Sequence, residues 1–102
     1  MVHELLQTGR DYTISGRELC NLLQITDRQL TQLVEKERRD GLPICAATGK
    51  NPGYFLAANK GEMERYCRSL WKRAGEIHKT RRACIATLES LPASPEEEQE
   101  EA

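Results

Sequence analysis

The sequence predicts a mainly α fold with a small β-hairpin and a long C-terminal helix, an α+β class. Three stretches carry that expectation. Between Ile14 and Asp40, two short apolar runs each follow a capping signature, with only a few residues separating them. Between Pro43 and Ala57, two extended runs flank a tip dense in turn formers. From Asn59 to about Leu91, an apolar stripe recurs at helical spacing until Pro92 stops it.

Taken in order, residues 2–8 (VHELLQT) carry Val2, Leu5 and Leu6 on one side and read as a first helix that Gly9 ends. Asp11 to Ile14 is a brief extended link. Ser15 and Glu18 form a capping box: the hydroxyl takes an orphan N–H and the glutamate reaches back. Thr26 and Gln29 repeat the device eleven residues on. Leu19, Leu22 and Leu23 fall on one face of the first of these helices; Leu30, Leu33, Val34 and the stem of Glu37 lie close together on the second. Gln24 and Ile25 leave so little chain for the turn that the helices must cross and pack. Gly41 stops the second helix where positive φ is needed. Pro43–Ala47, the Thr48–Gly53 tip and Tyr54–Ala57 then make strand, turn and strand. A helix-turn-helix followed at once by a hairpin is the pattern of a winged helix.

Four runs in this order, SGREL, ITDRQLTQLV, ERRDGLPI and GKNPGYFL, make the pattern specific. The region resembles the N-terminal DNA-binding domain of the biotin operon repressor, and it is similar to small winged-helix proteins carried by bacterial prophages. The similarity covers roughly 45 of the 102 residues. It implies a winged helix-turn-helix over residues 1–58, in which the Asp11–Ile14 link pairs with the hairpin as a third strand and points Tyr12 and Ile14 to the core, with a C-terminal helical extension over 59–91 and an acidic tail over 92–102.

Composition sets the bounds. Of the 102 residues, 30% are charged and 38% hydrophobic, the balance of one small domain with appendages. No apolar run reaches the roughly 20 residues of a membrane span, and Glu4, Gln7 and Arg10 break any signal-peptide core. A cytoplasmic protein without membrane contact is expected. Cys20, Cys45, Cys67 and Cys84 are widely spaced, and neither His3 nor His78 completes a zinc-like group. Reduced, mostly buried thiols are the expectation. The net charge of −1 conceals an asymmetry: Glu96, Glu97, Glu98, Glu100 and Glu101 crowd the tail. With those five of the 16 acidic residues set aside, 15 bases face 11 acids. A modestly basic body fits a nucleic-acid binder, and the tail reads as disordered, solvating charge or as a DNA mimic competing for the basic face.

The second helix of the motif carries the chemistry. Arg28, Gln32, Glu35 and Arg39 point opposite its apolar face, flanked by Gln29 and Lys36 on one edge and Thr31 on the other. Arginine reaches guanine O6 and N7, glutamine reaches adenine N6 and N7, and threonine and lysine suit phosphates. Glu35 fits cytosine N4, an ion pair with Arg28 or Arg39, or plain solvation. Any exposed helix face is polar; placement on the second helix of this motif, which enters the major groove in such folds, is what distinguishes this one. With Thr26 at the helix start and Lys50 and Asn51 at the hairpin tip, the DNA-binding candidates are Thr26, Arg28, Gln29, Thr31, Gln32, Lys36, Arg39, Lys50 and Asn51. The GKNPG string at the tip lacks the spacing of a phosphate loop, and no helix follows it directly.

The last helix has a stripe of Met63, Cys67, Leu70, Ala74, Ile77, Cys84, Leu88 and Leu91, broken by Arg81, with Gly75 in its middle. Unbroken, it would reach about 50 Å, beyond a winged-helix core of about 25–30 Å. Met63, Leu70, Ile77, Cys84 and Leu91 recur every seven residues, which suits pairing with another helix. A homodimer through Ile77, Cys84, Leu88 and Leu91 is expected; a break near Gly75 with fold-back, or a different protein on the stripe, are the alternatives. No nucleophile–base pair, carboxylate pair, metal cluster or cofactor fingerprint stands out, so no enzyme activity, cofactor or small-molecule ligand is expected. The function read from the sequence is sequence-specific binding of double-stranded DNA, in a phage or bacterial transcription regulator or replication accessory protein. The alternative is a winged-helix protein–protein interaction module that touches no DNA.

Overall fold

The computed structural model describes residues 1–95; residues 96–102, which hold the five tail glutamates, and the expectation for them lie outside the described residues. The chain runs through a 3-10 turn (Val2–Leu5), α1 (Gly16–Leu23), α2 (Asp27–Arg39), β1 (Ile44–Ala47), β2 (Gly53–Leu56) and α3 (Lys60–Glu89). The fold is mainly helical with one two-stranded antiparallel sheet. Residues 1–68 form one compact unit, and a second begins at Ser69, inside α3. Among the described residues, no helix is long and apolar enough to cross a membrane.

Local chemistry places the helix ends. The Ser15 hydroxyl accepts from the Glu18 N–H at 3.1 Å and starts α1. At α2 the full reciprocal box forms: Thr26 Oγ1 accepts from Gln29 N, and Gln29 Oε1 accepts from Thr26 N. Gln24 closes α1 in the left-handed region, φ +55°. At the end of α2, Gly41 sits at φ +98°, and the N–H groups of Gly41 and Leu42 return to the carbonyls of Arg38 and Glu37. That is the paired closure a left-handed residue makes possible.

The hairpin pairs Ile44 with Leu56 and Cys45 with Phe55. Successive side chains point to opposite faces, and here both faces are covered. Ile44 and Leu56 join Val2, Leu6, Leu19, Leu30 and Val34 in the main core. Cys45 and Phe55 meet Tyr66 and Met63 from the first turns of α3 in a second cluster. This explains why the two strands read as continuous apolar runs rather than as alternation. Ile14 pairs with Tyr54 on the free edge of β2, through N–H···O bonds of 3.0 and 2.8 Å. The expected third strand is thus a single bridge.

The structure corrects several expectations. Residues 2–8 do not form an α-helix: after a single 3-10 turn the chain extends, and β2 satisfies its backbone, with Leu56 N donating to Gln7 O and Gly9 N to Leu56 O. Val2 and Leu6 are therefore buried while Leu5 is exposed. Tyr12 is 61% exposed rather than in the core, because Tyr12 N bonds Gly9 O in a turn and the extended link begins only after it. Leu22 is 59% exposed; Leu19, Leu23 and Cys20 define the packed face of α1, and Leu22 falls past its edge. The cysteines are free, but only Cys45 is buried, and Cys67 and Cys84 are exposed.

Asn59 Oδ1 accepts from Glu62 N and opens α3. The helix is uninterrupted at Gly75, and Trp71 is exposed along it.

Candidate nucleic-acid interface

The candidate residues lie on α2 and on the turn between β1 and β2. Leu30, Val34 and Glu37 point inward from α2 and are buried. The phase of the helix then forces Arg28, Gln32, Glu35 and Arg39 outward, and all four are exposed. Their inward counterweight is unusual. Glu37 is 1% exposed and accepts at 2.9 Å from each of the Val2 and His3 N–H groups, with the His3 ring Nδ1 on the same oxygen as His3 N. Burial pushes this carboxyl up, but the donors from His3 and Val2 outweigh it and hold it below its ordinary value. Arg38 is also turned toward the sheet: Nε donates to Ile44 O at 2.8 Å, and the guanidinium lies 4.8 Å from the centroid of the Tyr66 ring. These two residues fix the rotation of α2 and thereby its outward stripe.

The candidates divide by what their side chains already do. Thr26 and Gln29 are held in the α2 cap. The Thr31 hydroxyl donates to Asp27 O, and Lys36 lies 3.0 Å from Asp40. Among the described residues, the side chains of Arg28, Gln32 and Arg39 make no hydrogen bond or ion pair. The free donors therefore form a narrower set than the sequence offers, spaced four and seven residues apart along one face.

Lys50 and Asn51 are exposed at the hairpin tip, with Asn51 at φ +55°. The chain before α1 braces that tip. Arg10 donates from Nη2 to Lys50 O at 2.9 Å and from Nη1 to Asn51 O at 3.4 Å, and Thr13 Oγ1 donates to Asn51 O at 2.9 Å. Arg10 N in turn donates to Glu62 Oε2 at 3.0 Å, while Glu62 Oε1 takes Ala58 N at 2.7 Å. These backbone donors lower the Glu62 pKa. Sequence reasoning passed over Arg10 and Thr13; it placed the stem of Glu37 on the apolar face of α2 but not its carboxylate in the core. Only a cation and a hydroxyl beside a turn glycine hinted at the first two.

Within the unit that begins at Ser69, the expected pairing residues Ile77, Leu88 and Leu91 are 61, 67 and 60% exposed, and Cys84 is also exposed. Cys84, Leu88 and Leu91 share a shallow apolar cleft with Ala83 and Thr87, and Ile77 shares another with Arg73, Glu76, Thr80 and Arg81. No protein-family model, curated protein or solved structure matches the chain.

Proposed function

We propose that residues 1–68 are a winged helix that binds double-stranded DNA sequence-specifically, as a phage or bacterial transcription regulator or replication accessory protein working in the cytoplasm. The observation that carries the reading is the uncommitted donor stripe Arg28, Gln32 and Arg39 on the second helix of a tightly turned pair. The order of elements supports it: turn, bridge at Ile14, two helices and a hairpin whose inner strand β2 lies between β1 and Ile14. In this reading α2 enters the major groove, Arg28 and Gln32 contact base edges, and Lys50 meets phosphate or the minor groove from the hairpin tip. Lys36 and Thr31 contact phosphates at the edges of the stripe. A second copy, joined through the Ile77, Cys84, Leu88 and Leu91 stripe, supplies a second recognition helix.

Selection from random duplexes tests this directly, because it needs no prior operator. On the selected site, Arg28→Ala and Gln32→Ala should each lose about 1–3 kcal/mol and relax preference at one base pair. Lys50→Ala should weaken all sequences alike and lower the salt slope by about one. Failure to enrich any duplex, or an enriched duplex on which none of the three variants changes binding, would favour the protein-docking module, to which the exposed Leu22 on α1 would then belong.

A further inference from the structure

We propose that Arg10 and Thr13 are positioning residues that hold the hairpin tip for its contact with nucleic-acid phosphate, and that Arg10 sets a second cation beside Lys50. This rests on the DNA-binding reading above.

The turn between β1 and β2, residues 48–52, is exposed throughout and passes through positive φ at Gly49 and Asn51. Such a turn has no core of its own to hold it, and a lysine at its apex would have to be ordered with the turn at the moment of binding. Here the Lys50 and Asn51 carbonyls are already taken. Arg10 spans both with two of its N–H groups, and Thr13 adds a bond to the Asn51 oxygen. The brace is itself anchored: Glu62 fixes the Arg10 backbone while it caps α3, and the Ile14–Tyr54 bridge follows immediately after Thr13. A guanidinium offers five donors in a planar fork. Two are spent on the tip, so three remain next to Lys50 for a phosphate oxygen.

The proposal makes the contribution of Lys50 conditional on the brace, and a double-mutant cycle reads that coupling. Thr13→Val removes one neutral hydrogen bond without changing charge. It should weaken duplex binding roughly threefold to tenfold at an unchanged salt slope. Arg10→Gln should weaken it at least as much and lower the slope by about one. Arg10→Lys should restore the slope but not the full affinity, since an ammonium cannot span two carbonyls as the fork does. In the Lys50→Ala background, the loss from Thr13→Val should shrink below about twofold. Circular-dichroism melts of each variant confirm that residues 1–68 remain folded, because the Glu62 bond uses the backbone of Arg10 and survives the substitution. A Thr13→Val loss undiminished by Lys50→Ala overturns the proposal. So does wild-type affinity in Thr13→Val and Arg10→Gln while Lys50→Ala still weakens binding, an outcome that leaves the DNA reading standing. If Lys50→Ala and Arg28→Ala are both silent, the reading itself falls, and the brace with it.

Discussion

Glu37 takes an ionisable group into the core of residues 1–68, and the donors that meet it decide whether this stabilises or destabilises the fold. Two backbone N–H groups and the His3 ring converge on its oxygens. Removing the acceptor leaves buried donors without a partner, which costs more than the bonds are worth on balance. Because the folded carboxyl titrates below its ordinary value of 4.5, its stabilising effect is present in full above that value and is lost as pH falls through the lower folded pKa. Urea denaturation from neutral pH downward should therefore show stability dropping in the acid range. Glu37→Gln should cost about 1–3 kcal/mol at pH 7 and flatten that acid limb. An acid limb identical in both proteins would remove Glu37 as its source. Gly53 is the other sensitive residue. It lies at φ +145°, and a Cβ there would stand 2.4 Å from Ile14 O, itself bonded to Tyr54 N. Two backbones joined in a bridge cannot separate cheaply, so Gly53→Ala should cost at least ~2 kcal/mol. Gly41→Ala, which meets no atom within 4 Å, should cost only about 1 kcal/mol for its φ. Equal melting temperatures for the two variants would contradict the close-approach argument.

Among the elements, α2 has two roles with separable consequences. Its cap determines whether the helix forms, and its outward stripe determines what it can touch. Thr26→Ala breaks the reciprocal box and should cost about 1 kcal/mol of unfolding free energy. Arg28→Ala, on an exposed side chain free of described partners, should stay within about 0.5 kcal/mol. Denaturant midpoints for the two variants check this; a larger loss from Arg28→Ala would mean the stripe is structural. The same division explains what the sequence made legible. Caps at Ser15, Thr26 and Asn59, the Gly41 stop and the Asn-Pro-Gly tip are local signals, and α1, α2, the hairpin and the start of α3 appear where those signals stand. Tyr12 and Leu5 depart from expectation because their burial depends on which neighbour satisfies the backbone, which periodicity does not encode; Leu22 departs because the packed face of α1 centres on Leu19, Cys20 and Leu23 and leaves it past the edge. The outward stripe was legible from phase alone. The brace on Lys50 and Asn51 spans about forty residues of sequence, and the His3–Glu37 pairing spans 34. Contacts at that separation leave no local pattern.

For the molecule as a whole, the remaining question is what covers the apolar stripe of the unit that begins at Ser69. Ile77, Leu88 and Leu91 expose more than half of their surface, in line with the partly exposed Leu70 one heptad earlier. Scattered apolar residues on a surface mean little, but a heptad-spaced row on one helix is the form of a helix–helix seam. Arg81 and the neighbouring Thr80 and Thr87 interrupt the row. A seam formed along this row would therefore be weaker than an ideal coiled coil, and the proposed dimer should show concentration dependence. A two-fold pair would also meet the need of the DNA-binding reading for two recognition helices, on half-sites one turn, about 34–36 Å, apart. Light scattering at tens of micromolar should report a dimer mass. Ile77→Asp combined with Leu88→Asp places a charge at two seam positions in each copy and should yield a monomer with undiminished helical circular dichroism. Since neither residue belongs to the unit of residues 1–68, that monomer should still bind a single half-site. It should lose roughly 10²–10⁴-fold on a duplex carrying both, because the second contact no longer benefits from the effective concentration of the first. A monomer mass for the unmodified protein at that concentration would remove the dimer and leave the stripe to a different protein.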